Sequence, residues 1–156
     1  MFINLKRKKQ GINIMLEKIL YLDHSITSLT YKELSFEPST GGSLSYDISD
    51  DVKIEVAEQN NDEPLEQLRF LCEVDIRLKA TNKNIDQDAF TLEATLQLIY
   101  QAPEDLRKEL TPEFFAENLW FLKNTIHLIS HQALSNLLAE TKFRNIAGIL
   151  PKSRIS

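Results

Sequence analysis

Hydrophobic and polar residues alternate with period two through the middle of this chain. Leu44, Tyr46, Ile48, Val52, Ile54 and Val56 all occupy even positions, and Ser45, Asp47, Ser49, Asp51, Lys53 and Glu55 fill the odd ones. The spacing predicts one long half-buried strand, interrupted near Ser49-Asp50-Asp51. A second run places Leu68, Phe70, Cys72, Val74, Ile76 and Leu78 opposite Arg69, Glu73, Asp75, Arg77 and Lys79, and a third places Phe90, Leu92, Ala94, Leu96, Leu98 and Tyr100 opposite Thr91, Glu93, Thr95 and Gln97. The earliest run is irregular, with Leu29 and Tyr31 at odd positions but Leu34 and Phe36 at even ones. A one-residue bulge at Lys32-Glu33 would restore a common face. Pro38-Ser39-Thr40-Gly41-Gly42 ends that strand, and the polar stretches 59–64 and 81–88 have hairpin length. Four such strands predict an antiparallel sheet with one wet face and one covered face.

The cover comes from the C-terminal third. Thr111-Pro112-Glu113 reads as a helix start, with a hydroxyl cap, proline in the first turn and an acid at the positive end of the dipole. The helix is expected to run to about Lys142. Phe115, Leu119, Leu122, Ile126, Ile129, Ala133 and Leu137 form one apolar stripe, and Phe114, Phe121, Leu128, Leu134 and Leu138 form a second beside it. Covering a sheet takes about one stripe. The second calls for another surface, most simply a symmetric neighbour, or else the segment Ile14–Leu22 of the same chain. The expected fold class is α+β, a four-stranded antiparallel sheet covered on one face by a long C-terminal helix. Residues 1–22 read as a basic extension able to carry a short helix, and 23–156 as a single domain.

A length of 156 residues suits one domain, and the lone Cys72 excludes a disulfide framework. The net charge of −5 is unevenly spread, with +4 in residues 1–20 and −9 in the remainder. An acidic body disfavours nucleic acid as a partner. The cluster Lys6-Arg7-Lys8-Lys9 precedes no clean apolar core or cleavage site, no stretch reaches the length of a membrane span, and Met15 offers an internal start. These features point to a cytoplasmic protein without membrane insertion, in which residues 1–14 are either a loose extension or lie upstream of the true start. The chain carries no glycine-rich phosphate loop, nucleophile elbow or cysteine pair at metal spacing. His127 and His131 stand four apart on the helix, but two ligands do not complete a zinc site. The reading is therefore of a non-enzyme, without metal or cofactor.

Lys32-Glu33-Leu34-Ser35-Phe36-Glu37-Pro38 resembles the opening strand of the SecB-type export chaperones. Ala89-Phe90-Thr91-Leu92-Glu93 is similar to the start of that family's last strand, and the run from Phe143 through Asn145-Ile146-Ala147-Gly148-Ile149-Leu150-Pro151 to its apolar tail. The order of elements agrees across residues 29–151. The resemblance implies a chaperone that holds unfolded preproteins in an export-competent state and assembles as a dimer of dimers. It also implies docking of the export motor ATPase through an acidic sheet face, which here matches Glu33, Glu37 and Glu93, all three expected on the wet face. Tyr46, Ile48, Trp120, Phe121 and Phe143 are the apolar residues expected to serve clients or assembly. The chain stops at Ser156, without the second C-terminal helix that frames the client groove in better-known members, so groove geometry is not carried over. SecB-like proteins also guard the antitoxin of toxin–antitoxin modules, which gives a second expectation for the client. Two other classes remain open: an oligomeric adaptor without clients, and a metal enzyme using His127 and His131.

Overall fold

The computed structural model describes residues 15–34, 42–58, 67–83 and 87–141. Five strands form one antiparallel sheet: β1 (Leu20–Glu33), β2 (Gly42–Ile48), β3 (Lys53–Val56), β4 (Gln67–Asn82) and β5 (Asp88–Pro103). The order is β1-β5-β4-β2, and β3 also pairs with β4. One helix follows, α1 (Pro112–Ala139). This is the expected α+β architecture, with the second strand divided in two.

The division lies where the sequence interrupts the alternation. Ile48 pairs with Ile76 and Lys53 with Glu73, so the four residues 49–52 span only two on β4. Because the slip is an even number of residues, the inward parity survives it. Leu44, Tyr46 and Ile48 on β2 and Ile54 and Val56 on β3 all oppose buried residues of β4. Gly42 opens β2 where a side chain would meet the Thr81 carbonyl oxygen at 2.1 Å, so the close strand approach there requires glycine.

β1 departs from expectation in length and in bulge position. It begins at Leu20, well before the alternation becomes legible at Leu29. Its register slips at Leu22 and again at Thr27, whereas Lys32 and Glu33 pair regularly with Thr91 and Phe90. Two single-residue bulges reverse the parity twice. The residues opposing the buried row of β5 are therefore Tyr21, His24, Ile26, Leu29, Tyr31 and Glu33. Just upstream, Leu16 and Ile19 are buried in the core.

The even positions of β4 and β5 form the core. Phe70 stacks on Tyr100 with centroids 5.1 Å apart and meets Phe115 of α1 at 5.2 Å. Leu122, Ile126, Ile129 and Ala133 continue this cluster along the helix. Leu134 and Leu138 close a second cluster over Ile76, Leu78, Phe90 and Leu92. Cys72 is enclosed in the first, and burial pushes its thiol up to about 12. The helix start is as expected: the Thr111 hydroxyl accepts the Phe114 N–H at 3.2 Å, and Pro112 occupies the first turn. The helix ends at Ala139, a few residues short of expectation. Arg107, ion-paired with Glu104, donates to the Ala57 carbonyl at 2.7 Å and ties the turn before α1 to the end of β3.

The second stripe is not one continuous surface. Leu134 and Leu138 are fully buried, Phe114 and Phe121 are half-buried, and Leu128 is 65% exposed. Urea denaturation should separate these classes. Phe70→Ala is expected to cost about 3–5 kcal/mol and Leu128→Ala less than about 0.5 kcal/mol. Equal costs would refute the assignment of the core. Thr111→Ala should cost about 1 kcal/mol through loss of the cap.

Candidate functional site

α1 runs over β4. On one side of it the inward row of β1 lies beyond the cover that the helix gives. Ile26 and Tyr31 are exposed and Leu29 is 49% exposed, although all three lie on the face that elsewhere forms the core. Tyr31 packs at 6.2 Å from Phe90, and its hydroxyl donates to Glu33 at 3.4 Å, so the row continues into a carboxylate. On the helix itself, Trp120 is 58% exposed and meets half-buried Phe121 edge-on at 6.1 Å.

On the other side of α1, against β3, lies a pocket of about 530 Å³. Val52, Ile54 and Val56 form one wall, and Leu110, Phe115 and Leu119 the other. Asp50 and Asp51 stand at the end nearer the middle of the helix, where Lys123 pairs with Asp50 at 3.0 Å. Ala57 N–H donates to the Arg69 carbonyl, so the in-register alternation turns the N–H and C=O groups of Ile54 and Val56 away from β4. Among the described residues no strand pairs with that edge of β3. The two sides thus offer apolar surface, and the second adds main chain that no described strand pairs.

The structure separates the residues expected from sequence. Glu93 lies on the outer face, ion-paired to Arg77 at 2.8 Å. Glu33 opposes buried Phe90 and therefore lies on the inner face. The expected common wet face fails because the bulges sit at Leu22 and Thr27, not at Lys32-Glu33. Glu37 and Phe143 lie outside the described residues. Tyr46 and Ile48 are half-buried against the second core cluster. Burial pushes the Tyr46 phenol up to about 12, an effect that the neighbouring Ser130 hydroxyl partly offsets. These two residues serve packing, and of the expected apolar set Trp120 is the one most open to solvent among the described residues. Ile26, Leu29 and the β3 pocket were missed, because alternation reports which face a residue occupies and not which strands the helix reaches.

The outer face is mixed in charge. Lys53 pairs with Glu73 and Lys79 with Asp88, alongside the Arg77–Glu93 pair. A smaller hollow of about 230 Å³ there is bordered by Ser28, Thr30 and Thr95 and by the Arg77–Glu93 pair. Thr95 Oγ1 donates to Asp75 at 2.7 Å. Among the described residues no group of three or more histidine, cysteine or acidic side chains could hold a metal ion, so His127 and His131 have no third ligand there. No helix among the described residues is long and apolar enough to cross a membrane.

No protein-family model matches the sequence, and no curated protein matches it. Solved structures do. The SecB-like chaperone of Mycobacterium tuberculosis, determined in complex with a ChAD peptide from an antitoxin, superposes with a TM-score of 0.56 at 15% identity. The match covers 94% of this chain and 96% of that one. A Streptococcus agalactiae protein of unknown function aligns over 88% of this chain and 96% of its own at 10% identity, with a TM-score of 0.36, too low to bear on the fold. Five antiparallel strands with one long C-terminal helix, matched over nearly its whole length, give this chain the fold of a SecB-like chaperone.

Proposed function

We propose that the protein is a SecB-like holding chaperone, which binds extended apolar stretches of other polypeptides on the surfaces that α1 leaves open. The observation that carries this reading is the exposed apolar pair Ile26 and Leu29 on the inner face of β1, which α1 does not cover. Fully covering each such side chain contributes about 1.5–3 kcal/mol, from which the cost of ordering both partners is subtracted. A few such contacts support reversible holding and fall well short of permanent capture. Recognition by apolar surface and main chain also needs no particular client sequence.

A narrower client is favoured by one finding. The solved neighbour is bound to a peptide from an antitoxin, so a single dedicated antitoxin is a second reading of the same surface. Docking of an export motor through Glu33, Glu37 and Glu93 is not part of the proposal. The register parts Glu33 from Glu93, and Glu93 is itself ion-paired to Arg77 on an outer face that also carries the Lys53–Glu73 and Lys79–Asp88 pairs.

Two measurements test this reading. The purified chain should suppress aggregation of a chemically denatured model protein at near-stoichiometric ratios, and mass measurement in solution should show uptake of that client. A chain that leaves the aggregation unchanged would overturn the proposal. Leu29→Asp places a charge in the open row without touching the core. It should keep the thermal midpoint within a few degrees and weaken client uptake about tenfold, equivalent to the loss of one well-covered apolar side chain.

A further inference from the structure

Tyr21 and His24 stand at the first end of the inner row of β1, three residues apart. In a regular strand that spacing would put them on opposite faces. The bulge at Leu22 displaces the parity by one and turns both inward, where the Tyr21 hydroxyl lies 2.7 Å from His24 Nδ1 and the two rings stack at 6.5 Å. Burial, with the Asp23 charge adding to it, holds the Tyr21 phenol above its usual range. The hydroxyl therefore keeps its proton and donates it to the neutral imidazole. The next inward residue is Ile26, about 6–7 Å further along the strand. The imidazole thus borders the open apolar pair Ile26 and Leu29.

From this geometry we propose that His24 is a proton-operated switch on the open face of β1: apolar segments are held against Ile26 while its ring is neutral and released when the ring is protonated. Imidazole is the side chain whose ordinary titration falls between about pH 5 and 8, and the groups around this one keep their charge there. Tyr100 meets Tyr21 edge-on at 6.0 Å, with the Cys72 thiol and Thr125 of α1 beside it. Burial pushes the Tyr100 phenol up and the Cys72 thiol to about 12, so both stay neutral. The β5 partner of His24 is Leu98, and the neighbours of Thr125 on its flank of the helix, Phe121 and Leu128, are uncharged. Asp23 opposes Ile99 on the outer face, and its carboxylate accepts the His24 backbone N–H at 2.8 Å. Glu33, the acid of the inner row, lies at its far end. A proton on the ring reverses the bond, with Nδ1 donating to the Tyr21 oxygen, and leaves a cation faced by a phenol and apolar side chains. A segment laid over Ile26 would strip water from that cation, a cost absent for the neutral ring. Holding is therefore tight above the imidazole titration range and weak below it. The inference rests on the holding reading above and adds to it a means of release.

The test uses the full chain and a fluorescent peptide of alternating leucine and serine, capped at both ends so that it carries no ionisable group. Its affinity should fall about tenfold between about pH 7.5 and about pH 5.5. His24→Gln should hold the two affinities within about twofold of each other. Tyr21→Phe frees the imidazolium to turn toward water and should leave a fall of only about threefold. A double variant, His127→Gln with His131→Gln, should keep the full fall, because those rings follow Lys123 along the flank of α1 that faces Asp50. Thermal midpoints at both pH values establish that each variant is folded. A second readout needs no substitution. On the unaltered chain, saturating peptide should displace protonation of His24, followed by its ring-proton NMR signals, to lower pH, since a ligand that prefers the neutral ring opposes its protonation. An undiminished fall in His24→Gln, tighter binding in acid, or a His24 titration that the peptide does not move would overturn the switch while leaving the holding proposal standing. Failure of the chain to bind the peptide even at the higher pH would overturn both.

Discussion

One helix cannot roof this sheet. The sheet is four strand positions wide, and α1 lies over β4. Neighbouring strands are about 4.8 Å apart, so β1, two positions away, sits about 10 Å from the strand beneath the helix. A helix with its side chains reaches only about 5–6 Å from its axis. The inward row of β5 is therefore covered, whereas the inward row of β1 falls outside the helix's reach. The aromatic contact of Phe70 with Tyr100 and Phe115 anchors the helix in this position. Every open surface described above follows from where that contact places the helix.

Most of the fold can be read from the chain, for reasons that individual elements make plain. β4 and β5 are long, regular and buried on one face, so their alternation is unbroken. The interrupted second strand stays legible because its slip relative to β4 is even, which leaves Tyr46 and Ile54 on the same face. The start of α1 is declared by Thr111 and Pro112. β1 is harder. Its inward residues fall at irregular spacings from Tyr21 to Tyr31, since Leu22 and Thr27 each displace the parity by one. No period-two reading recovers a strand with two bulges. Placing one bulge at Lys32-Glu33 puts Glu33 on the wrong face, and with it the acidic patch.

The site is less legible than the fold for a related reason. Periodicity assigns Trp120, Leu122 and Leu128 to angles around the helix, but their exposure depends on which strands the helix overlies. Leu128 and Leu134 stand in the same sequence stripe, yet one is open to solvent and the other enclosed. Tyr46 and Ile48 could be assigned to the inward face and still not be recognised as packing residues. The β3 pocket depends on the strand order, the break at residues 49–52 and the turn through Leu110, which no local pattern reports together.

The two open regions lie on opposite sides of α1 and differ in kind. The β1 row is apolar, shallow and bordered by an edge strand whose bulges at Leu22 and Thr27 disturb regular pairing over its first half. Bulges of this sort are a known guard against indiscriminate edge association. The stretch from Leu29 to Glu33 is regular, so pairing there is confined to a short segment. The β3 side is concave, offers main chain that no described strand pairs, and carries acids at one end, Asp50 and Asp51. A flat apolar row takes up apolar stretches without charge selection. A concave, charged edge suits a varied extended peptide. Under that division, the two sides of α1 offer a client different kinds of contact. A client long enough to reach both surfaces would be held by avidity, with each contact individually weak enough to release.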